Sequence, residues 1–143
     1  MNKTLQSENW SKRKQAMFQH IETSAGDRAR WINTNLYYHK RDAAYLNFIL
    51  SKDCSVLDIG CGNGWLLSQL DAKVKCGVDL SPAMVDIARE TCPEATVIQA
   101  DIEARSDLKK IKDQGLFDYI ILSDTLAFLD DIEVGLSHVR QLC

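Results

Sequence analysis

Residues 55–64 read Ser-Val-Leu-Asp-Ile-Gly-Cys-Gly-Asn-Gly and run straight into Trp65-Leu66-Leu67. An apolar run carrying one acid, Asp58, gives way to glycines at 60, 62 and 64. This is the pattern of a buried strand turning sharply into a helix, with bare backbone left for a ligand to approach. Two common phosphate-binding loops do not fit. A dinucleotide fingerprint sets its third glycine one position later, where this chain has Trp65. A phosphate cradle needs a lysine after its last glycine, and none occurs between Lys52 and Lys73. A carboxylate at Asp58 facing the turn would repel phosphates and would suit an ammonium or sulfonium charge. The expected ligand is a cationic nucleoside.

The following segments extend that reading. Lys73–Asp79 reads as a second strand ending in an acid, with Ser81 as N-cap and Pro82 at the first helical position of the next helix. An acid at that strand end can accept both ribose hydroxyls, which makes Asp79 the candidate ribose ligand. A third strand, Ala95–Ala100, delivers Asp101 and Ile102 to the same edge, where a carboxylate can take an adenine amino group and an amide can donate to the ring. A fourth strand, Phe117–Leu122, ends in Ser123-Asp124.

Four stretches, Val56–Gly64, Gly77–Met84, Ala100-Asp101 and Phe117–Asp124, resemble in order and spacing the successive motifs of class I S-adenosylmethionine-dependent methyltransferases. The resemblance runs from about Asp53 to Cys143. It implies a Rossmann-like, doubly wound parallel α/β sheet with S-adenosylmethionine as cofactor. By resemblance, Gly60 and Gly62 line the methionine and ribose part of that cofactor, with Cys61 and Gly64 in the same loop. Asp79 holds the ribose, Leu80 and Met84 flank the adenine, and Asp101 and Ile102 read its edge. Residues 37–50 are similar to the methyltransferase half of bacterial proteins in which this module is fused to a glycosyltransferase, which implies a glycan, lipid-linked or small-molecule acceptor. The family's sheet has seven strands and the chain stops after the fourth, so a partial fold is expected: an N-terminal helical segment, 1–52, and a partial cofactor-binding domain, 53–143. The remainder would belong to a longer or fused protein, and the fourth strand would be left as an open sheet edge.

Composition fits one soluble domain in the cytoplasm. No apolar run approaches the ~20 residues of a membrane span, and five cysteines without a Cys-x-x-Cys pair argue for reduced thiols rather than disulfides or zinc. A net charge of −3 leaves no broad footprint for nucleic acid. Lys12-Arg13-Lys14 is a local basic patch of the kind usually found on a solvated helix face. Helices are expected over 8–24, 28–37, 41–50, 65–70, 82–91, 106–113 and 131–142, with Gly26-Asp27 interrupting the first two.

Several residues admit two readings. Ser123 and Asp124 sit where the fourth strand would point towards a transferred methyl, and either can orient or deprotonate an acceptor or simply cap the next turn. Tyr37, Tyr38 and His39 can close over the cofactor carboxylate or belong to the core. Cys61 reads as a small packed residue, since no histidine near it in sequence would activate it. The competing functions are a nicotinamide-dependent oxidoreductase, for which Asp79 also lies at a suitable distance from Gly60, and a non-catalytic module that binds a cofactor or partner.

Overall fold

The computed structural model describes residues 9–143. Four strands, β1 (Ser55–Ile59), β2 (Val74–Asp79), β3 (Thr96–Gln99) and β4 (Tyr119–Ile121), form one sheet in the order β3-β2-β1-β4. Every pairing is parallel. β1 is buried from Val56 to Ile59 without alternation, as a central strand covered on both faces must be.

The pleat sends alternate residues to two apolar layers. Leu57, Ile59, Cys76 and Val78 pack with Leu108 and Ile111 of α6 (Arg105–Lys112) and with Leu142, while Val139 of α7 (Ile132–Val139) packs against this cluster. On the other face, Val56 and Ile121 meet Leu46 of α3 (Leu36–Ile49), Leu67 of α4 (Trp65–Gln69) and Cys92, which ends α5 (Pro82–Thr91). The sheet is thus sandwiched between helices. The chain winds outward from β1 through β2 to β3 and then returns to place β4 on the far side of β1. That reversal opens a crevice at the carboxyl ends of the strands, the usual ligand position in such sheets.

The expected first helix begins later than Glu8, which lies outside the described residues: α1 spans Lys12–Ser24, with the Ser11 hydroxyl accepting from the Lys14 amide. Gly26 sits in a short 3-10 turn, Ala25–Asp27, before α2 (Arg28–Thr34). The break expected between 37 and 41 falls instead at Asn35, whose side-chain amide donates to the Trp31 carbonyl at 2.9 Å. That local bond competes with continuation of the helix and ends α2 early.

The basic run at the start of α1 is not the solvated face its composition suggests. Only Lys12 and Arg13 are exposed. Arg13 nevertheless donates to the carbonyls of Ala127, at 2.8 Å, and Leu129. Lys14 is buried against Asp101 and Glu103. α1 is therefore pinned across the loops that follow β3 and β4. Among the described residues no helix is long and apolar enough to cross a membrane.

Candidate active site

The crevice holds a cavity of about 470 Å³. Its floor is the β1 turn and the ends of β2 and β3, and its roof comes from α1 and α2, where Met17, Phe18, Ile21 and Trp31 are interleaved with Lys14, His20, Ser24 and Arg28. The turn is fastened to β2 by the amides of Gly60 and Cys61, which both donate to the Val78 carbonyl at 2.7 and 3.0 Å.

The three glycines all lie at positive φ, +78° at Gly60, +54° at Gly62 and +76° at Gly64, yet they serve different ends. A Cβ at Gly60 would run into the side chain of Thr125, whose hydroxyl donates to the Ile59 carbonyl at 2.7 Å. A Cβ at Gly62 would meet no atom within 4 Å, because this residue faces the cavity. Gly64 lines neither of the two cavities described here: a Cβ there would fall 3.0 Å from the Cα of Ala88, so this glycine allows α4 to lie against α5.

Asp79 closes β2 with both oxygens engaged by backbone. Oδ2 accepts from the Gly62 amide at 2.8 Å and Oδ1 from the Ser81 amide at 2.9 Å. Burial raises its pKa, against the opposing pull of the Ser81, Gly62 and Leu80 amides. Each oxygen keeps a free lone pair, so the carboxylate can still receive a diol. Leu80 and Met84 line the same cavity. Met84 is held by the α5 N-cap, where the Ser81 hydroxyl accepts from the Met84 amide at 3.1 Å and donates to Glu22 of α1.

Asp101 and Ile102 also reach the cavity. The Asp101 carboxylate already holds Lys14 Nζ at 2.8 Å and Trp10 Nε1 at 2.9 Å, both on Oδ2, and the Glu103 amide at 3.0 Å on Oδ1. The Ile102 carbonyl lies 2.7 Å from His138 Nδ1.

Beyond the glycine turn lies a recess of about 60 Å³, lined by Arg28, His39, Asp58, Asn63, Ser123 and Asp124. Two of its polar atoms are buried without a hydrogen-bond partner among the described residues, Asp58 Oδ1 and His39 Nε2. Burial first, and the nearby Asp79 second, push the Asp58 pKa up to about 7. The His39 ring is fixed edge-on by Trp31 and Trp65, with centroids 5.1 and 5.8 Å away. Cys61 lies on the same recess, but burial and the Asp58 charge push its thiol well up, as expected of a packed, unreactive cysteine.

Asp124 and Ser123 line both cavities. Asp124 is the single non-glycine residue at positive φ among those described, at 56°, a conformation that is sparsely populated and concentrates at functional sites. Tyr38 is 58% exposed and lines neither of these two cavities, while its neighbour His39 lines the recess.

Arg28 escaped the reading of the sequence. It lines both cavities, stacks over the Trp31 ring at 4.4 Å and takes part in no ion pair among the described residues. Burial lowers its pKa, and the charges of Asp124 and Asp79 oppose that effect. Its one local signal is the Gly26-Asp27 break that turns the chain back over the crevice.

Residues 56–143 match a family model described as a methyltransferase domain. Trans-aconitate 2-methyltransferase of Enterobacter sp. (strain 638) is 33% identical over 91 residues, covering 61% of this chain and 34% of the relative. A protein of Invertebrate iridescent virus 6 named as a methyltransferase is 26% identical over 121 residues, 77% of this chain and 43% of its own length. This chain therefore spans less than half the length of either relative. The N-methyltransferase NodS of Bradyrhizobium japonicum WM9, solved with S-adenosyl-L-homocysteine, shares the fold with a TM-score of 0.71 at 20% identity, over 87% of this chain and 66% of that one. Magnesium protoporphyrin IX methyltransferase of Synechocystis PCC 6803, solved with bound SAM, does so with a TM-score of 0.71 at 20% identity, over 100% of this chain and 74% of that one. With four parallel strands in the order β3-β2-β1-β4, a glycine turn at their carboxyl edge and a family match from Val56 to Cys143, the chain belongs to the methyltransferase-domain family and carries its Rossmann-like α/β fold.

Proposed function

We propose that the chain binds S-adenosylmethionine in the crevice and forms the cofactor half of a methyltransferase acting on a small-molecule, glycan or lipid-linked acceptor. The observation that carries this reading is the charge pattern across the glycine turn. A large, mostly apolar cavity headed by Asp79 adjoins a small polar recess lined by both Arg28, which makes no ion pair among the described residues, and Asp58, whose Oδ1 is buried without a partner among them. A nucleoside with a zwitterionic tail matches both: a diol for Asp79, an ammonium for Asp58 and a carboxylate for Arg28. Leu80 and Met84 would flank the base, with Asp101 and Ile102 at its edge, and Gly60, Gly62 and Ser123 along the tail.

S-adenosylmethionine supplies an electrophilic methyl group on a sulfonium, so the protein's task is alignment and exclusion of water, worth about 7–11 kcal/mol. The apolar residues of the roof, Met17, Phe18, Ile21 and Trp31, would keep water from the transferred methyl. Asp124, held in a strained conformation at the junction of both cavities, orients the acceptor or takes its proton. We assign this activity to the 53–143 unit roofed by α1 and α2, in the cytoplasm.

Calorimetric titration with S-adenosylhomocysteine should show binding to the folded protein, weakened at least about tenfold by Asp79→Ala. No binding by folded protein, or binding indifferent to Asp79→Ala, overturns the reading. A dinucleotide would press its pyrophosphate towards Asp58 and Asp79, so NADH should leave the melting temperature unchanged where S-adenosylhomocysteine raises it.

A further inference from the structure

The basic run of α1 has a use that methyl transfer alone does not demand. Lysine is almost never fully buried unless paired, and the Lys14 side chain is only 5% exposed. Its ammonium lies 2.8 Å from Asp101 Oδ2 and also contacts Glu103 Oε2. The Trp10 indole donates to the same Asp101 oxygen at 2.9 Å, and its ring packs edge-on against Phe18 with centroids 5.2 Å apart. Oδ2 is thus filled by two donors. Among the described residues Oδ1 holds only the Glu103 amide, which leaves it a lone pair, and Asp101 lines the cavity.

Charge counting explains what that acceptor selects. Two carboxylates face one ammonium, which leaves a formal excess of one negative charge in a buried cluster. Such a cluster favours one further hydrogen-bond donor and disfavours a lone pair. Asp101 lines the same cavity as Leu80 and Met84, the residues we assign to the faces of the base.

We infer that Lys14 is a positioning residue that holds Asp101 as a fixed acceptor and thereby makes the site selective for a purine with a 6-amino group. This rests on the proposed S-adenosylmethionine site. Without Lys14, the carboxyls of Asp101 and Glu103 would stand together with no cation between them. Repulsion would swing the two carboxylates apart, and an Asp101 no longer fixed at its place on the cavity is a poorer acceptor there. That erodes the advantage of a 6-amino over a 6-oxo purine.

Calorimetry with S-adenosylhomocysteine and S-inosylhomocysteine, which differ at purine C6, tests the assignment. The wild type should prefer the adenosine form by at least about tenfold, the scale of one charge-assisted hydrogen bond. Lys14→Met should bring the two affinities to within about threefold, while Lys14→Arg keeps the preference. Trp10→Phe retains a ring against Phe18 but removes one donor from Oδ2; it should narrow the preference in the same direction and serves if Lys14→Met does not fold. A ratio unchanged in the folded variant, or an equal loss for both ligands, overturns the role of Lys14. A wild type that binds neither ligand overturns the proposed cofactor site and this inference with it.

Discussion

At Asp58 a carboxyl with no partner on Oδ1 sits fully buried near Asp79, which together lift its pKa to about 7. In the unfolded chain it titrates near ~3.9. Between those values the folded state holds more protons than the unfolded one, so stability falls as pH rises, by roughly 4 kcal/mol once pH exceeds 7. Asp58→Asn should flatten this decline: little change near pH 4 and clear stabilisation at pH 8 in urea unfolding, with a residual slope from Asp79. A decline as steep as in the wild type would show that Asp58 is not its source. The glycines next to it separate by the same kind of comparison. Gly62→Ala adds strain of about 1–2 kcal/mol at positive φ but no overlap, so ligand binding should suffer more than folding. Gly64→Ala adds overlap with the Ala88 backbone to similar strain and should lower stability by more than about 2 kcal/mol, before any ligand is added. In the sequence the three glycines look alike, because what distinguishes them is the element each one meets across the fold.

Two of the three helices that begin with a side-chain cap were legible, and α1, capped by Ser11, was not. Ser81 and Pro82 announce α5, and Asp131 announces α7, where its side chain accepts from the Val134 amide. Ser81 carries two duties, since its hydroxyl also donates to Glu22 and so ties α1 to the start of α5. Ser81→Ala should cost about 1–2 kcal/mol in thermal unfolding. It should also weaken S-adenosylhomocysteine binding, because Met84 loses its anchor; an unaltered affinity would mean the cap supports the helix and nothing of the cavity wall. What the sequence withheld at this scale is how α1 attaches. Lys14 and Asp101 are 87 positions apart and Arg13 and Ala127 are 114 apart, so no local period pairs them. A basic triplet at a helix start reads as solvated until the loops it covers are in place.

Across the whole molecule, parallel order follows from the alternation of strand and helix signals, and the position of β4 follows from the crossover back past β1. The outer surface does not follow, because hydrophobic periodicity marks a face as apolar without saying what covers it. α3 is such a case. Its inner side packs through Leu46 and Ala43, while Tyr37, Tyr45 and Phe48 stand 79%, 65% and 87% exposed on the opposite side at helical spacing. β4 is likewise unpaired on its outer edge among the described residues. Two apolar features of this kind favour association in solution. Sedimentation velocity should show concentration-dependent self-association, and the double substitution Tyr45→Glu, Phe48→Glu should raise the concentration required by at least about tenfold, the effect of removing two aromatic anchors from an interface. If association persists unchanged, the aromatic face of α3 is not the contact and the open edge of β4 carries it, since a strand edge joins through backbone groups that side-chain charges on α3 do not reach.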